Sequence, residues 1–291
     1  MAVPTSDRAR GAARPTARDL VRESLDLGLA GLRPGSVRPA LDRLWTPLDV
    51  DRVVELPWAG GAMAEAGRIL DISSPKLLAC WLARHTPATV VATDLWAAEV
   101  EAWRALVAAA DPRGRRYGRL ALEAADATAL PYPDGSFDAA YSVSVIEHIP
   151  GDGDAAAVAE LARVVRPGGT VAITVPFAAA PRDEFVEADL YGQRYEGEPL
   201  FFYRHYSAET LAARLLTGGA FDVAERIMWR RGSAPALQQQ MRRTLPGPIA
   251  RLRPGRFLGP ALTVIGLREM QEAPPEEPGA ENVIALRLVR R

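Results

Sequence analysis

The chain has 291 residues, 48% of them hydrophobic and 24% charged, which is enough for one large α/β domain with additions. Its net charge of -1 provides no overall field that would attract nucleic acid, so we expect no nucleic-acid partner. A single cysteine, Cys80, excludes an intramolecular disulfide, and three widely spaced histidines argue against a metal site.

The amino-terminal part of the chain bears on location and order. Residues 1–19 are rich in Ala, Arg and Pro and lack the apolar segment of a secretory signal. No apolar run reaches the length of a membrane span. We therefore expect a cytoplasmic protein, and we expect residues 1–45 to be a flexible extension.

Strands and helices alternate through a predicted core at 46–230. A helix within 49–65 is predicted to cover the sheet. We then predict strands at 68–72, 89–94, 120–125, 137–142 and 170–175, with helices at 77–84, at 97–110 and after 152–154. The strands are short, apolar and β-branched, as expected for strands that are buried on both faces. This alternation predicts an α/β fold with a doubly wound, mostly parallel sheet.

The pattern changes after residue 177. A helix is predicted over 208–216 with Ser207 as its N-cap, followed by strands at 221–229 and 282–289 that pair as an antiparallel hairpin. Residues 231–280 are predicted to be an insertion, first basic and rich in Pro and Gly, then acidic, so that 281–291 forms the last strand of the sheet.

One part of the predicted insertion raises the question of membrane contact. Residues 245–259 mix cations with apolar side chains, as a surface that rests on a membrane does. Their prolines oppose a long amphipathic helix, so we disfavour this contact.

Acidic side chains stand at the carboxyl ends of the first three strands. Asp71 ends the first strand, Asp94 ends the second and Asp126 follows the third. Ligands of parallel sheets bind beyond these ends, and a carboxylate accepts two hydrogen bonds, as a vicinal diol requires. One such acid is often only a turn or cap residue, but the phased set indicates a ligand with hydroxyls and positive charge.

Six segments carry a resemblance to a known family. In chain order they are ILDI at 69–72, VATD at 91–94, DATALPY at 126–132, SFD at 136–138, EHI at 147–149 and LARVVRPGG at 161–169. The series resembles the class I S-adenosylmethionine-dependent methyltransferases, most of all their type 11 small-molecule branch, over residues 68–177. The resemblance implies a seven-stranded sheet with an antiparallel last strand, S-adenosyl-L-methionine as cofactor and a small-molecule acceptor.

The resemblance also implies roles for single residues. In the family, the acid that matches Asp94 holds the ribose, the acid that matches Asp126 contacts adenine, and residues that match 142–144 line the cofactor. The full expected cofactor site comprises Asp71, Ser73, Ser74, Lys76, Asp94, Leu95, Asp126, Ala127, Ser142, Val143 and Ser144.

The first loop departs from the family pattern. Ser73, Pro75 and Leu77 stand where the family has glycines, which allow positive φ and close backbone approach. Either the hydroxyls and Lys76 replace the backbone amides, with Lys76 facing the methionine carboxylate, or cofactor binding is weakened or lost. We favour retained binding because the other acids persist. Lys76 as a solvated surface charge is the remaining alternative.

Two histidines are candidates for a general base. His148 lies just past the fourth strand, and His205 lies in an aromatic segment that would cover the site. A hydrogen-bonded structural role is the alternative for each. Tyr203, Arg204 and Tyr206 either line an acceptor pocket or pack against the sheet.

Two other classes of protein compete with a methyltransferase. A nicotinamide oxidoreductase would need a Gly-x-Gly-x-x-Gly after the first strand, which is absent. A non-catalytic scaffold with the same fold would explain the loop without glycines. The sequence predicts neither the acceptor atom nor the oligomeric state.

Overall fold

The computed structural model describes residues 14–33, 36–45, 48, 50–190, 194–230, 270–274 and 282–291. Most of the predicted insertion, including residues 245–259, therefore lies outside the described residues. Within the described ranges, no helix combines the length and the apolar character needed to cross a membrane.

Ten strands are present in the described residues. They are β1 (Arg68–Ile72), β2 (Thr89–Asp94), β3 (Leu120–Ala124), β4 (Phe137–Val143), β5 (Val165–Phe177), β6 (Arg182–Val186), β7 (Leu200–His205), β8 (Phe221–Arg230), β9 (Gln271–Ala273) and β10 (Asn282–Arg290). Eight of them form one sheet in the order β3-β2-β1-β4-β5-β10-β8-β9, while β6 and β7 form a separate antiparallel pair.

The large sheet confirms the predicted α/β class. Strands β1 to β5 pair in parallel, and β10 runs antiparallel between β5 and β8. The strand order reverses between β1 and β4, which places a crevice at their carboxyl ends. The sheet has eight strands where seven were expected, because residues 271–273 of the predicted insertion pair with the edge of β8.

Seven helices of the described residues cover the sheet. They are α1 (Ala17–Ala30), α2 (Val37–Trp45), α3 (Arg52–Ala62), α4 (Leu77–His85), α5 (Ala97–Ala110), α6 (Gly153–Val164) and α7 (Ala208–Leu215). Buried side chains of α1 to α5 form one core cluster with the sheet, and those of α6 and α7 form a second. The sheet is thus covered on both faces, as its apolar strands predict.

The flexible extension predicted for residues 1–45 is wrong for α1 and α2. Thr16 and Asp19 form a capping box at the start of α1, and Leu20 and Leu27 are fully buried. Residues 17–30 and 37–45 therefore form ordered helices that pack on the domain, since burial of their apolar side chains stabilises them. Residues 1–13 lie outside the described part of the chain.

Strand β5 begins five residues earlier than predicted. The Arg-Pro-Gly-Gly segment at 166–169 belongs to the strand. A Cβ at Gly169 would lie 2.6 Å from the Asp138 carbonyl oxygen, so a residue without a side chain is needed for β5 to approach β4.

Candidate active site

Asp71 lies at the carboxyl end of β1 and is fully buried. Its Oδ1 accepts a hydrogen bond of 2.9 Å from the Ser74 backbone N–H. Burial raises the pKa of Asp71 to about 6, against the lowering effects of Lys76 and Ser74. The buried Tyr141 hydroxyl interacts with the same carboxyl group and also lowers its pKa. The carboxyl group therefore joins the first loop to the Tyr141 hydroxyl of β4.

The first loop keeps a glycine-like backbone without glycine. Ser73 has φ of 50°, in the left-handed region that we expected the loop to lose with its glycines. Its N–H donates to the Thr93 carbonyl at 3.0 Å. The Ser74 hydroxyl accepts a hydrogen bond of 2.8 Å from the Val143 N–H at the end of β4. The first loop thus folds over the ends of β1, β2 and β4. The Ser74 hydroxyl accepts a hydrogen bond from the backbone N–H at the end of β4.

Lys76 is buried beside two acids, which rules out the solvated surface charge that was the alternative for it. Its Nζ donates to the Ser74 carbonyl at 2.7 Å and lies 3.4 Å from Asp94 Oδ2. The other oxygen of Asp94 accepts from the Trp96 N–H at 3.1 Å. Lys76 therefore brings the ends of β1 and β2 together through charge.

Asp126 lies at the same edge of the sheet, but its side chain stabilises a turn. It is exposed, and its Oδ1 accepts hydrogen bonds from the N–H and the hydroxyl of Thr128, at 2.8 and 2.7 Å. The Ala125 N–H donates to the Asp94 carbonyl at 2.9 Å, so this turn adjoins the end of β2. Ala127 is buried, whereas Leu95 presents an exposed apolar side chain beside Asp94. The remaining oxygen of Asp126 is open to solvent and to a ligand.

The end of β4 supplies two serines with different surroundings. Ser142 is fully buried, and its hydroxyl has no hydrogen-bond partner among the described residues. Ser144 has φ of 49°, and its N–H donates to the Thr174 carbonyl at 3.0 Å. Its hydroxyl donates to Glu55 Oε1 at 2.6 Å. A left-handed backbone outside glycine is costly and is typical of functional sites.

Glu55 of α3 is a site residue that the sequence did not identify. It is fully buried, and its Oε1 also accepts a hydrogen bond of 2.7 Å from the Thr174 hydroxyl. Its Oε2 forms an ion pair with Arg52. The available signal was one acid in the apolar segment 53–58, which we interpreted only as a covering helix. Glu55 attaches this helix to the ends of β4 and β5.

His148 ends a 3₁₀ turn at Ile146–His148. Its Nδ1 lies 2.7 Å from the Phe202 carbonyl oxygen, so Nδ1 carries a proton and donates it. This tautomer leaves Nε2 as an acceptor, 3.9 Å from Glu147 Oε1. Burial, reinforced by the charge of Arg52, lowers the pKa of His148 to about 4. The imidazole is therefore neutral near pH 7 and able to accept a proton only weakly.

His205 lies on β7 and is fully buried. Its Nε2 accepts from the Arg182 guanidinium at 3.1 Å and lies 3.5 Å from Glu184 Oε1. Its ring lies 4.9 Å from that of Tyr203, which in turn lies 5.6 Å from His148. The partners of His205 favour its structural alternative, while the role of His148 as a base stays a prediction.

The aromatic segment before α7 is attached by a buried carboxylate. Asp154 is fully buried and accepts hydrogen bonds from the Tyr206 hydroxyl at 2.6 Å and from Arg204 and Arg214, each at 2.8 Å. Arg204 and Tyr206 therefore attach β7 to α6, and Arg214 attaches α7 to it, whereas the packing alternative placed Arg204 and Tyr206 against the sheet. No three His, Cys, Asp or Glu side chains of the described residues are grouped as metal ligands.

Known proteins resemble both the sequence and the fold. Residues 70–173 match a family model described as a methyltransferase domain. Methyltransferase GfsG of Streptomyces halstedii is 36% identical over 117 residues, which are 39% of this chain and 39% of that protein. The 27-O-demethylrifamycin SV methyltransferase of Amycolatopsis mediterranei (strain S699) is 34% identical over 110 residues, 37% of this chain and 39% of that protein. The chain thus spans about two fifths of the length of these relatives.

The crystal structure of the [4+2]-cyclase SpnF superposes with a TM-score of 0.52 at 19% identity. The superposition covers 96% of this chain and 98% of that one. At 19% identity this superposition shows a shared fold and no more.

Proposed function

Because residues 70–173 match a methyltransferase-domain model, we propose that the protein is an S-adenosyl-L-methionine-dependent methyltransferase acting on a small molecule. The observation that carries the proposal is the meeting of Asp71, Lys76 and Asp94 at the carboxyl ends of β1 and β2. The name of the second relative, a 27-O-demethylrifamycin SV methyltransferase, supports a small-molecule acceptor.

The residues at this edge fit the chemical groups of the cofactor. The Ser142 hydroxyl is a buried polar group that no described residue satisfies, so it favours a bound donor or acceptor. Asp94 provides carboxylate oxygens for ribose hydroxyls, and Asp126 has an oxygen for the adenine amine. Lys76 is a cation suited to a carboxylate. The edge therefore carries complementary groups for each polar part of adenosylmethionine.

We assign the expected cofactor site accordingly. Asp94 would hold the ribose with Leu95 covering the adenine, and Asp126 and Ala127 would bound the base. Residues 142–144 would line the middle of the cofactor, and residues 71–76 would face its amino-acid end.

The bound cofactor supplies an electrophilic methyl group for in-line displacement. The chain contributes orientation: the Glu55 contacts fix Ser144 and the end of β4, so the adjoining wall is rigid. Because the Nδ1 proton of His148 is engaged by the Phe202 carbonyl, Nε2 would be the atom that takes a proton from a hydroxyl acceptor. The aromatic rings of Phe202 and Tyr203 beside it would exclude water.

A non-catalytic protein with this fold is the second candidate. The ion pair of Lys76 with Asp94 favours it, because the ammonium engages the carboxylate assigned to the ribose. A nicotinamide oxidoreductase gains no support, since the first loop has no glycine-rich phosphate cradle.

Calorimetric titration separates these candidates. We expect the wild-type protein to bind S-adenosylmethionine and S-adenosylhomocysteine but not NAD, and we expect Asp94→Ala to weaken binding at least tenfold. Asp134→Ala is the matched control, because Asp134 is exposed and precedes β4 at the opposite edge. Wild-type protein that binds no adenosyl ligand would favour the non-catalytic candidate, and equal binding by Asp94→Ala would remove the ribose assignment.

The compartment and partners also stay predictions. We propose the cytoplasm, on the composition with its single cysteine. We propose no nucleic-acid partner, on the near-neutral net charge.

A further inference from the structure

Lys76 is the one lysine in a chain with 34 arginines, and it is buried. A buried ammonium is stable only where anions and hydrogen-bond acceptors surround it. Here they are the Ser74 carbonyl at 2.7 Å and Asp94 Oδ2 at 3.4 Å, with Asp71 close enough for its pKa to be lowered by the Lys76 charge. Two acids thus share one cation at the crevice.

The backbone donors of residues 73, 74 and 143 beside this cation are already engaged. The Ser73 N–H donates to Thr93, the Ser74 N–H donates to Asp71, and Pro75 has none. At the end of β4, the Val143 N–H donates to the Ser74 hydroxyl. A carboxylate that enters the crevice between β1 and β4 therefore meets the ammonium of Lys76 and not the N–H groups of residues 73 and 74.

The contact with Asp94 is the weaker of the two that Lys76 makes. At 3.4 Å it is an ion pair rather than a short hydrogen bond, and the lysine side chain has four rotatable methylene groups. A ribose diol that binds Asp94 Oδ2 competes with the ammonium. A ligand that brings its own carboxylate gives the ammonium a replacement anion, whereas a ligand without one leaves the buried charge with less compensation.

We propose that Lys76 determines cofactor specificity by exchanging Asp94 for the carboxylate at the amino-acid end of the cofactor. This inference rests on the proposed function, because it takes the crevice to be the adenosylmethionine site. In this chain the first loop has Ser73, Ser74, Pro75 and Lys76 in place of a glycine-rich segment. Recognition of the carboxylate by one charged side chain then replaces its recognition by the backbone.

Two ligands isolate the carboxylate in a calorimetric test. S-adenosylhomocysteine carries it, and decarboxylated S-adenosylhomocysteine keeps the amine but lacks it. We expect the wild-type protein to prefer the first ligand at least tenfold, Lys76→Met to lose that preference, and Lys76→Arg to keep part of it because the charge remains. An unchanged preference in Lys76→Met would overturn the inference. Tighter binding of both ligands by Lys76→Met would also overturn it, because it would mean that Lys76 obstructs the site.

Acylation of the wild-type protein provides a readout that needs no variant. Since the chain has one lysine, an amine-acylating reagent followed by peptide mass spectrometry reports on one ε-amino group. We expect S-adenosylhomocysteine to slow acylation of Lys76 several-fold and the decarboxylated ligand to leave it unchanged or faster. Equal protection by both ligands would contradict the inference. If the folded wild-type protein binds neither ligand, the proposed function itself fails; if it binds both alike, only the inference about Lys76 fails.

Discussion

Glu55 of α3 accepts a hydrogen bond of 2.6 Å from the hydroxyl of Ser144, which lies 89 residues further along the chain. The contact joins the covering helix to the end of β4, where Ser144 holds a left-handed backbone. The geometry of the crevice wall therefore depends on a buried carboxylate outside the family-matched segment 70–173.

Replacement of Glu55 by Gln should destabilise the protein. The amide still accepts a hydrogen bond, but it no longer neutralises Arg52, and breaking a buried ion pair costs about 3–5 kcal/mol. We expect the free energy of unfolding to fall by at least about 2 kcal/mol in urea titrations. Glu65→Gln, an exposed acid just after α3, is the control and should change it by less than about 0.5 kcal/mol. Equal stabilities of the two variants would contradict this role of Glu55.

Ser73→Gly should stabilise the protein. Serine at φ of 50° bears a left-handed backbone cost of about 1–2 kcal/mol, which glycine relieves at a smaller entropic cost in the unfolded chain. We expect a gain of about 0.5 kcal/mol in the free energy of unfolding. Ser73→Ala keeps the Cβ and should give no gain. A gain of the same size from alanine would mean that the hydroxyl, and not φ, sets the cost.

The sequence predicts the parallel strands well because each is a short apolar run between turns. The predicted strands 68–72 and 89–94 coincide with β1 and β2. The helices of residues 17–45 were missed because distant contacts hold them: Glu23 of α1 accepts hydrogen bonds from Arg84 and Tyr117, 61 and 94 residues away. Strand β9 was missed for the same reason, as its pairing with β8 is tertiary.

For the candidate site too, the sequence predicts which strand ends meet but not which side chains are buried there. The alternation of strands places Asp71 and Asp94 at one edge, and the structure brings them to the same cation. A sequence does not show whether a lysine in a loop is solvated or buried between acids, so the position of Lys76 came only from the fold. Glu55 was hidden in the same way, since its partners Ser144 and Thr174 lie on two other elements.

Asp154 should contribute more to stability than its neighbour Asp152. Asp154 is buried and compensates Arg204 and Arg214, whereas the Asp152 side chain is 93% exposed and contacts only the edge of the cluster. We expect Asp154→Asn to lower the free energy of unfolding by about 2–4 kcal/mol and Asp152→Asn by less than about 1 kcal/mol. Urea unfolding of both variants measures the difference. Losses of similar size would show that the cluster is solvent-screened.

Asp71 and His148 should give the stability opposite dependences on pH. Burial raises the pKa of Asp71 from 3.8 to about 6, so its contribution is full below about pH 4 and is lost as the pH rises through 6. Burial lowers the pKa of His148 from 6.5 to about 4, so its contribution is full above about pH 6.5 and is lost as the pH falls through 4. Each shift of about 2 units corresponds to about 3 kcal/mol, so the two largely offset each other in the wild-type protein.

Single variants separate the two contributions. Relative to the wild-type protein, Asp71→Asn should gain stability as the pH rises from about 4 to 6.5, because the unfavourable ionisation of Asp71 is removed. His148→Gln should lose relative stability over the same range, because the benefit of a neutral imidazole at higher pH is removed. Urea unfolding at three pH values gives both slopes, with the exposed Asp134→Asn as a control that should parallel the wild type. If both variants also parallel the wild type, neither group titrates differently in the folded chain, and the neutral His148 required of a base at this wall loses its support.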